Sequence, residues 1–165
     1  IYLDDCTAEN GPMMVVPGSH KGPTFDHHAQ GYFCGAINPD ICDADLANAV
    51  PLIGPAGTLT IHHARMIHGS AFNRSTRPRR FLIQSYAAVD AWPITDLKGT
   101  LDDFNNRIVL GEPTLAPRVC PAPIRIPLPL RPDVRPGSIY DNQSILENRY
   151  FDDEQSIAQA EIART

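Results

Sequence analysis

The stretch IHGSAFNRSTRPRRFLIQSY, residues 67–86, holds the pattern from which the rest of the chain can be read. One apolar run ends at His68, a Gly-Ser turn follows, and a cluster of four arginines (Arg74, Arg77, Arg79, Arg80) opens the next apolar run, Phe81–Tyr86. Short runs rich in β-branched and aromatic residues, punctuated by Gly and Asn, predict strands rather than helices. A connection that only joined two strands would need neither an imidazole nor a guanidinium. Arg79 lies eleven residues after His68, a spacing that predicts a short hairpin with both side chains facing inward from adjacent strands. Such a pair suits a bidentate organic acid, with a metal on the imidazole taking one end and the guanidinium clamping a carboxylate. The plainer reading of His68 is a strand-end histidine bonded to a backbone carbonyl. In a strand opening at residue 79, Arg79 shares a face with Phe81 and Ile83, and Arg80 shares the other with Leu82 and Gln84. Arg77 and Arg80 then read as solvated or paired with surface acids.

Working outward, Ile1–Leu3, Met13–Val16 and Leu59–Ile61 are further strand candidates. ENGPM (9–13) predicts a turn that pairs the first two as a hairpin, and PGSH (17–20) closes the second. Residues 21–50 show no strong period and are too long for a plain connection, so they read as a lid or insertion, with a short helix candidate in DADLANAV. Few helical patterns precede residue 140, which makes the fold class all-β. From Pro113 to Pro136 the chain carries eight prolines, a composition that forbids helix and central strand and predicts an extended arm. The tail, DDEQSIAQAEIA, predicts a short C-terminal helix capped by Asp152 and Gln155. The expected division is a β body over 1–112 and an arm with a helical tail over 113–165.

Composition excludes several classes. A chain of 165 residues can bury one core, and its net charge of −5 is wrong for a nucleic-acid surface. Only two of the fourteen basic residues are lysine, and arginine suits fixed recognition of carboxylate or phosphate. Cys6, Cys34, Cys42 and Cys120 form no CxxC pair and read as reduced, cytoplasmic thiols. No run approaches the ~20 apolar residues of a membrane span. Ser-His-Asp order, phosphate loops and zinc-ligand spacing are all missing from the sequence.

LDDCTAENGPMMVVPGSHKG (3–22), followed by HGSAFNRSTRPRR (68–80), resembles the phytanoyl-CoA dioxygenase family of non-haem Fe(II), 2-oxoglutarate-dependent oxygenases. The resemblance runs from Ile1 to about Trp92. It implies a double-stranded β-helix, also called a jelly roll or cupin-like fold, and an enzyme that uses Fe(II), 2-oxoglutarate and oxygen on a small-molecule substrate. By the same resemblance His68 is the distal histidine of the iron triad. Arg79 pairs with the C5 carboxylate of 2-oxoglutarate, Ser70 touches that carboxylate, and Asn73 holds the turn. The family's other two iron ligands come as His-x-Asp, and none of His20, His27, His28, His62, His63 and His68 has an acid two positions on. Isoleucine at position 1 opens what reads as mid-strand, so the expectation is a C-terminal portion whose N-terminal strands are missing and which is inactive alone.

Lid and substrate contacts are assigned to His20, His27, His28 and Phe33. The alternative reading of His20 is that it holds its turn, and that of Asp26, His27 and His28 is a plain solvated stretch. His62 and His63 read as packing or backbone-bonded histidines, with one of them facing the site as the alternative, and Asp4 and Asp5 as capping or surface acids. Two other functions fit the residues: a non-enzymatic cupin-like module binding a small anion, and a cupin metal enzyme of another class.

Overall fold

The computed structural model describes residues 1–42, 44–121, 123–135, 139–146 and 151. The chain divides into two compact units, Ile1–Ile83 with Pro127–Thr165, and Gln84–Ile126.

In the first unit β1 (Met13–Val15) is the central strand of an antiparallel sheet, flanked by β4 (Val50–Leu52) and β5 (His68–Ser70). Pro51 is tolerated in β4 because that strand lies at the sheet edge. Met13 stands opposite Ser70, Met14 opposite Gly69, and Val15 opposite His68. Opposed residues share a face, so Met13, Val15, His68 and Ser70 line one side and Met14 and Gly69 the other. The Met14 side is the core. There Met14 and Val16 pack with Ala49, Ala71 and Phe151, and Leu46 and Ile67 close the edge. A Cβ on Gly69 would stand 2.6 Å from a ring carbon of Phe151, so only glycine lets the ring approach the strand.

A second antiparallel row runs beside this sheet. Ile1–Leu3 lies between the backbone of 80–82 (Leu3 N to Arg80 O and Leu82 N to Ile1 O, both 2.9 Å) and that of 57–58 (Tyr2 N to Thr58 O, 2.9 Å). Cys6 and Gly54 exchange two further bonds. The first two apolar runs therefore do not form a hairpin with each other. Buried Asn10 is the reason: its Oδ1 accepts from Thr7 N and its Nδ2 donates to Asp5 O, gathering 5–10 into a closed loop. Gly11, at φ +79°, then sets the chain against Ala71–Asn73, where a Cβ would meet the Ala71 carbonyl at 2.6 Å. Nor are His68 and Arg79 on paired strands, because β5 pairs with β1 while residues 80–82 pair with Ile1–Leu3. Leu59–Ile61 makes no ladder among the described residues, and beyond Leu82 neither does the run toward Tyr86.

Of residues 21–50, Val50 belongs to β4, and the other described residues stay outside the three-stranded sheet. They carry their own hairpin, β2 (His28–Ala29) with β3 (Tyr32–Phe33), turned by Gln30 and Gly31, both at positive φ. The helix candidate in DADLANAV is one 3₁₀ turn, Leu46–Asn48. Phe33 N donates to Pro129 O at 2.9 Å, tying the hairpin to the proline-rich segment. In that segment the described residues 113–121 and 123–135 hold no helix or strand.

The second unit holds α1 (Leu101–Asn105), opened by a reciprocal capping box between Thr100 and Asp103. Trp92 packs on Phe104 at 5.1 Å between ring centres. A second short helix, α2 (Ile139–Gln143), belongs to the first unit. The helix expected at 152–162 lies outside the described residues. Small antiparallel sheets with few short helices are compatible with the all-β expectation. All four cysteines are free thiols, and no described helix is long and apolar enough to cross a membrane.

Candidate functional site

His68 opens β5 on the non-core face of the sheet, with its side chain exposed. Its Nδ1 lies 2.7 Å from the Met66 carbonyl. A carbonyl can only accept, so Nδ1 carries the proton and Nε2 presents a free lone pair. A backbone-bonded histidine and a metal ligand are therefore compatible readings of this residue, because the first bond fixes the tautomer that the second role requires. The backbone before His68 is braced from the PGSH turn: Ser19 Oγ accepts from Ile67 N at 2.9 Å and points its proton at Met66 Sδ, 3.3 Å away.

The His62 ring stands 5.2 Å from that of His68. Burial, and then the charge of His68, hold the His62 imidazole below its ordinary pKa, favouring the neutral ring beside an open Nε2. His63 faces His20 at 5.6 Å and accepts from Arg65 N through Nδ1. His20 Nδ1 is buried and has no partner among the described residues.

Arg79 reaches Ser70 across the loop: one guanidinium NH₂ donates to Ser70 Oγ at 3.0 Å. The hydroxyl accepts there and keeps its own proton to donate. The guanidinium carbon also lies 4.7 Å from the centre of the Phe81 ring. Arg79 has no carboxylate partner among the described residues, whereas Arg80, Arg118 and Arg131 all do. Its charge is felt by buried Tyr2 and Cys6, where it opposes the upward push that burial gives both pKa values. Asn73 holds the intervening loop, donating to Arg77 O and accepting from Ser75 N and Oγ.

The lid candidates lie elsewhere. Among the described residues no hydrogen bond, ion pair or ring contact links His27, His28 or Phe33 to His68, Ser70 or Arg79. His28 is buried, with Nδ1 2.5 Å from Asp26 Oδ1, Nε2 3.1 Å from Leu128 O, and Phe33 against its ring edge. The His27 carbonyl accepts from Cys34 N and Gly35 N. His20, by contrast, touches the segment that leads into His68 through His63.

As for iron, the open Nε2 of His68 suits one ligand, but no group of three His, Cys, Asp or Glu among the described residues could hold a metal. The described residues therefore do not make up a metal site by themselves. Arg79 and Ser70, by contrast, already meet.

The sequence leaves open that His62 or His63 faces the site, and it is the His62 ring that lies beside that of His68. The Ser19 brace has no signal in the sequence, whereas the contact of Arg79 with Phe81 follows from their shared strand face.

Residues 1–81 match the family model of the phytanoyl-CoA dioxygenases. The chain is 40% identical over 155 residues to a probable alpha-ketoglutarate-dependent hypophosphite dioxygenase of Stutzerimonas stutzeri, covering 92% of this chain and 53% of that protein. It is 36% identical over 110 residues to L-proline trans-4-hydroxylase of Streptomyces griseoviridis, covering 56% and 41% respectively. The human peroxisomal phytanoyl-CoA dioxygenase is 29% identical over 113 residues, 66% of this chain and 33% of that one. No solved structure matches. Through residues 1–81 the chain is thus similar to the phytanoyl-CoA dioxygenase family. It spans about half the length of the hypophosphite dioxygenase it matches, and less of the others.

Proposed function

We propose that the chain is part of a non-haem Fe(II)- and 2-oxoglutarate-dependent dioxygenase acting on a small molecule, built on a double-stranded β-helix. The observation that carries this reading is Arg79 held to Ser70 at 3.0 Å with no carboxylate partner among the described residues. A buried or half-buried guanidinium without a counter-ion is costly unless a ligand supplies one. In this reading Arg79 binds the distal carboxylate of 2-oxoglutarate and the Ser70 hydroxyl donates a second bond. His68 offers Nε2 to iron, with the proton kept on Nδ1 by Met66 O.

Bound iron with 2-oxoglutarate would supply the oxidant for hydroxylation. The chain's own share is to orient the cosubstrate and limit water. The other two iron ligands come from outside these residues, and the 165-residue chain alone turns nothing over. The 155-residue match to a protein named for hypophosphite makes a small oxyanion the first substrate to try, ahead of amino acids.

The test is succinate formation from 2-oxoglutarate with Fe(II) and oxygen, using a longer form of the protein that contains a His-x-Asp. Iron-dependent succinate supports the reading. Absence of both turnover and 2-oxoglutarate binding would favour the small-anion binding module.

A further inference from the structure

We infer that Phe81 is a positioning residue for the anion clamp, acting through Arg79. This rests on the reading of Arg79 as the carboxylate-binding arginine. Three observations converge on the residue. The Arg79 guanidinium carbon stands over the Phe81 ring at 4.7 Å, well within the ~6 Å reach of a cation–π contact. One NH₂ of the same group is fixed to Ser70 Oγ at 3.0 Å. The ring itself is anchored by backbone, since Tyr2 and Phe81 form an antiparallel bridge and the flanking Leu3–Arg80 and Ile1–Leu82 bonds are all 2.9 Å.

A guanidinium has one plane and several rotatable bonds behind it. The Ser70 bond alone fixes a single nitrogen and leaves the plane free to turn. A ring beneath it removes that freedom, so the donors of the fork are presented together to an incoming carboxylate. The neighbouring carboxylate does not compete, because Asp4 is fully engaged by Arg80, through Nε at 2.9 Å and NH₂ at 2.7 Å. Phe81 thus supplies attraction without neutralising the charge that the ligand must meet. An acid at that position would hold Arg79 as firmly and close the site.

The experiment compares wild type, Phe81→Leu, Phe81→Met and Phe81→Tyr in a longer form of the protein that contains a His-x-Asp. It reads the order of the Arg79 Nε–H by ¹⁵N relaxation without ligand, and then 2-oxoglutarate affinity by chemical-shift titration of the same group. Expected is a disordered Arg79 Nε–H in the Leu and Met variants, with Kd raised about threefold to tenfold, the fold-change of one cation–π contact. Phe81→Tyr should restore both to within about twofold of wild type. Met is unbranched and adapts to the space the ring leaves, so its variant reports even where Leu disturbs folding. Wild-type binding that Leu and Met leave unchanged, or a Tyr variant as poor as Leu, overturns the role of Phe81 alone. A wild type that binds no 2-oxoglutarate at all overturns the cosubstrate reading, and this inference with it.

Discussion

Arg80 grips Asp4 with both ends of its guanidinium fork, Nε to Oδ2 at 2.9 Å and NH₂ to Oδ1 at 2.7 Å, while its own backbone N–H donates to the same carboxylate at 2.7 Å. Three donors on one carboxylate pin residues 80–82 against Ile1–Leu3, and that row carries Arg79 and Phe81. The side-chain bonds to Arg80, then its backbone bond, lower the Asp4 pKa from 3.8 to about 2.

A pKa depressed in the folded state stabilises the fold above the unfolded value and is lost on acidification. The Asp4 contribution should therefore be complete above about pH 4 and disappear as pH falls from 3.8 toward 2. Melting temperature measured from pH 5 to pH 2 should fall less steeply in Asp4→Asn than in wild type over that window. Parallel curves would mean that Arg80 does not hold Asp4 in solution.

Gly69 and Gly11 are both places where a side chain has no room, for different reasons. At Gly69 a methyl meets the buried Phe151 ring at 2.6 Å, and the ring is wedged among Met14, Val16 and Ala71. Gly69→Ala should cost about 1–3 kcal/mol in denaturant unfolding, the range for overpacking a core. At Gly11 the methyl meets backbone, the Ala71 carbonyl, and φ is +79°, so a left-handed penalty of about 1–2 kcal/mol is added to the clash. Gly11→Ala should be the more damaging of the two. Equal, small losses would show that both sites yield.

His28 presents both ring nitrogens to groups that accept, the Asp26 carboxylate and the Leu128 carbonyl. Replacing it by Leu keeps the packing against Phe33 but leaves the Leu128 carbonyl without this donor, a loss of about 1–3 kcal/mol for a buried polar group. The damage should be local, because residues 28–33 sit in a hairpin separate from the three-stranded sheet. Hydrogen exchange should accelerate at 28–34 and around 127–130 while β1 and β5 keep their protection. Uniform acceleration would show that the hairpin and the sheet unfold as one.

The elements that were legible in the sequence are those whose signal is local. Met13–Val15, the turn at PGSH, the Arg79–Phe81 same-face relation and the helix-free proline segment follow from alternation, glycine and proline. Pairing was not legible, because it depends on which distant backbone arrives beside a strand. ENG reads as a hairpin turn, yet Asn10 spends its side chain closing the 5–10 loop, and Ile1–Leu3 finds residues 80–82 instead. At the proposed site, spacing and resemblance single out His68, Ser70 and Arg79 but misplace their pairing, because Arg79 reaches Ser70 between sheet rows rather than along a hairpin. The tautomer of His68 was beyond reach, since it depends on the carbonyl two residues back curling onto the ring. The Thr100 capping box was readable as T-x-x-D but was overlooked among the loop residues.

The arginines at 79 and 80 make the functional reading testable by a contrast between neighbours. Both are cations at the mouth of the same backbone row, so a general electrostatic pull on a dicarboxylate would be weakened about equally by removing either. The structure separates them, because Arg80 is neutralised by Asp4 and Arg79 is held by an uncharged serine and an aromatic ring. Arg79→Ala in a longer form containing a His-x-Asp should therefore weaken 2-oxoglutarate binding by a few kcal/mol, roughly the value for stranding one partner of a buried charge pair. Arg80→Ala should leave that affinity within about twofold, a change near the limit of an exposed-charge effect, and instead lower the melting temperature. Ser70→Ala should fall between, since it removes one neutral hydrogen bond worth about 1 kcal/mol. Calorimetric titration of 2-oxoglutarate into the iron-loaded protein measures all three. Equal losses for Arg79→Ala and Arg80→Ala would reduce the clamp to a diffuse positive patch, and an unaffected Arg79→Ala would remove Arg79 from the site.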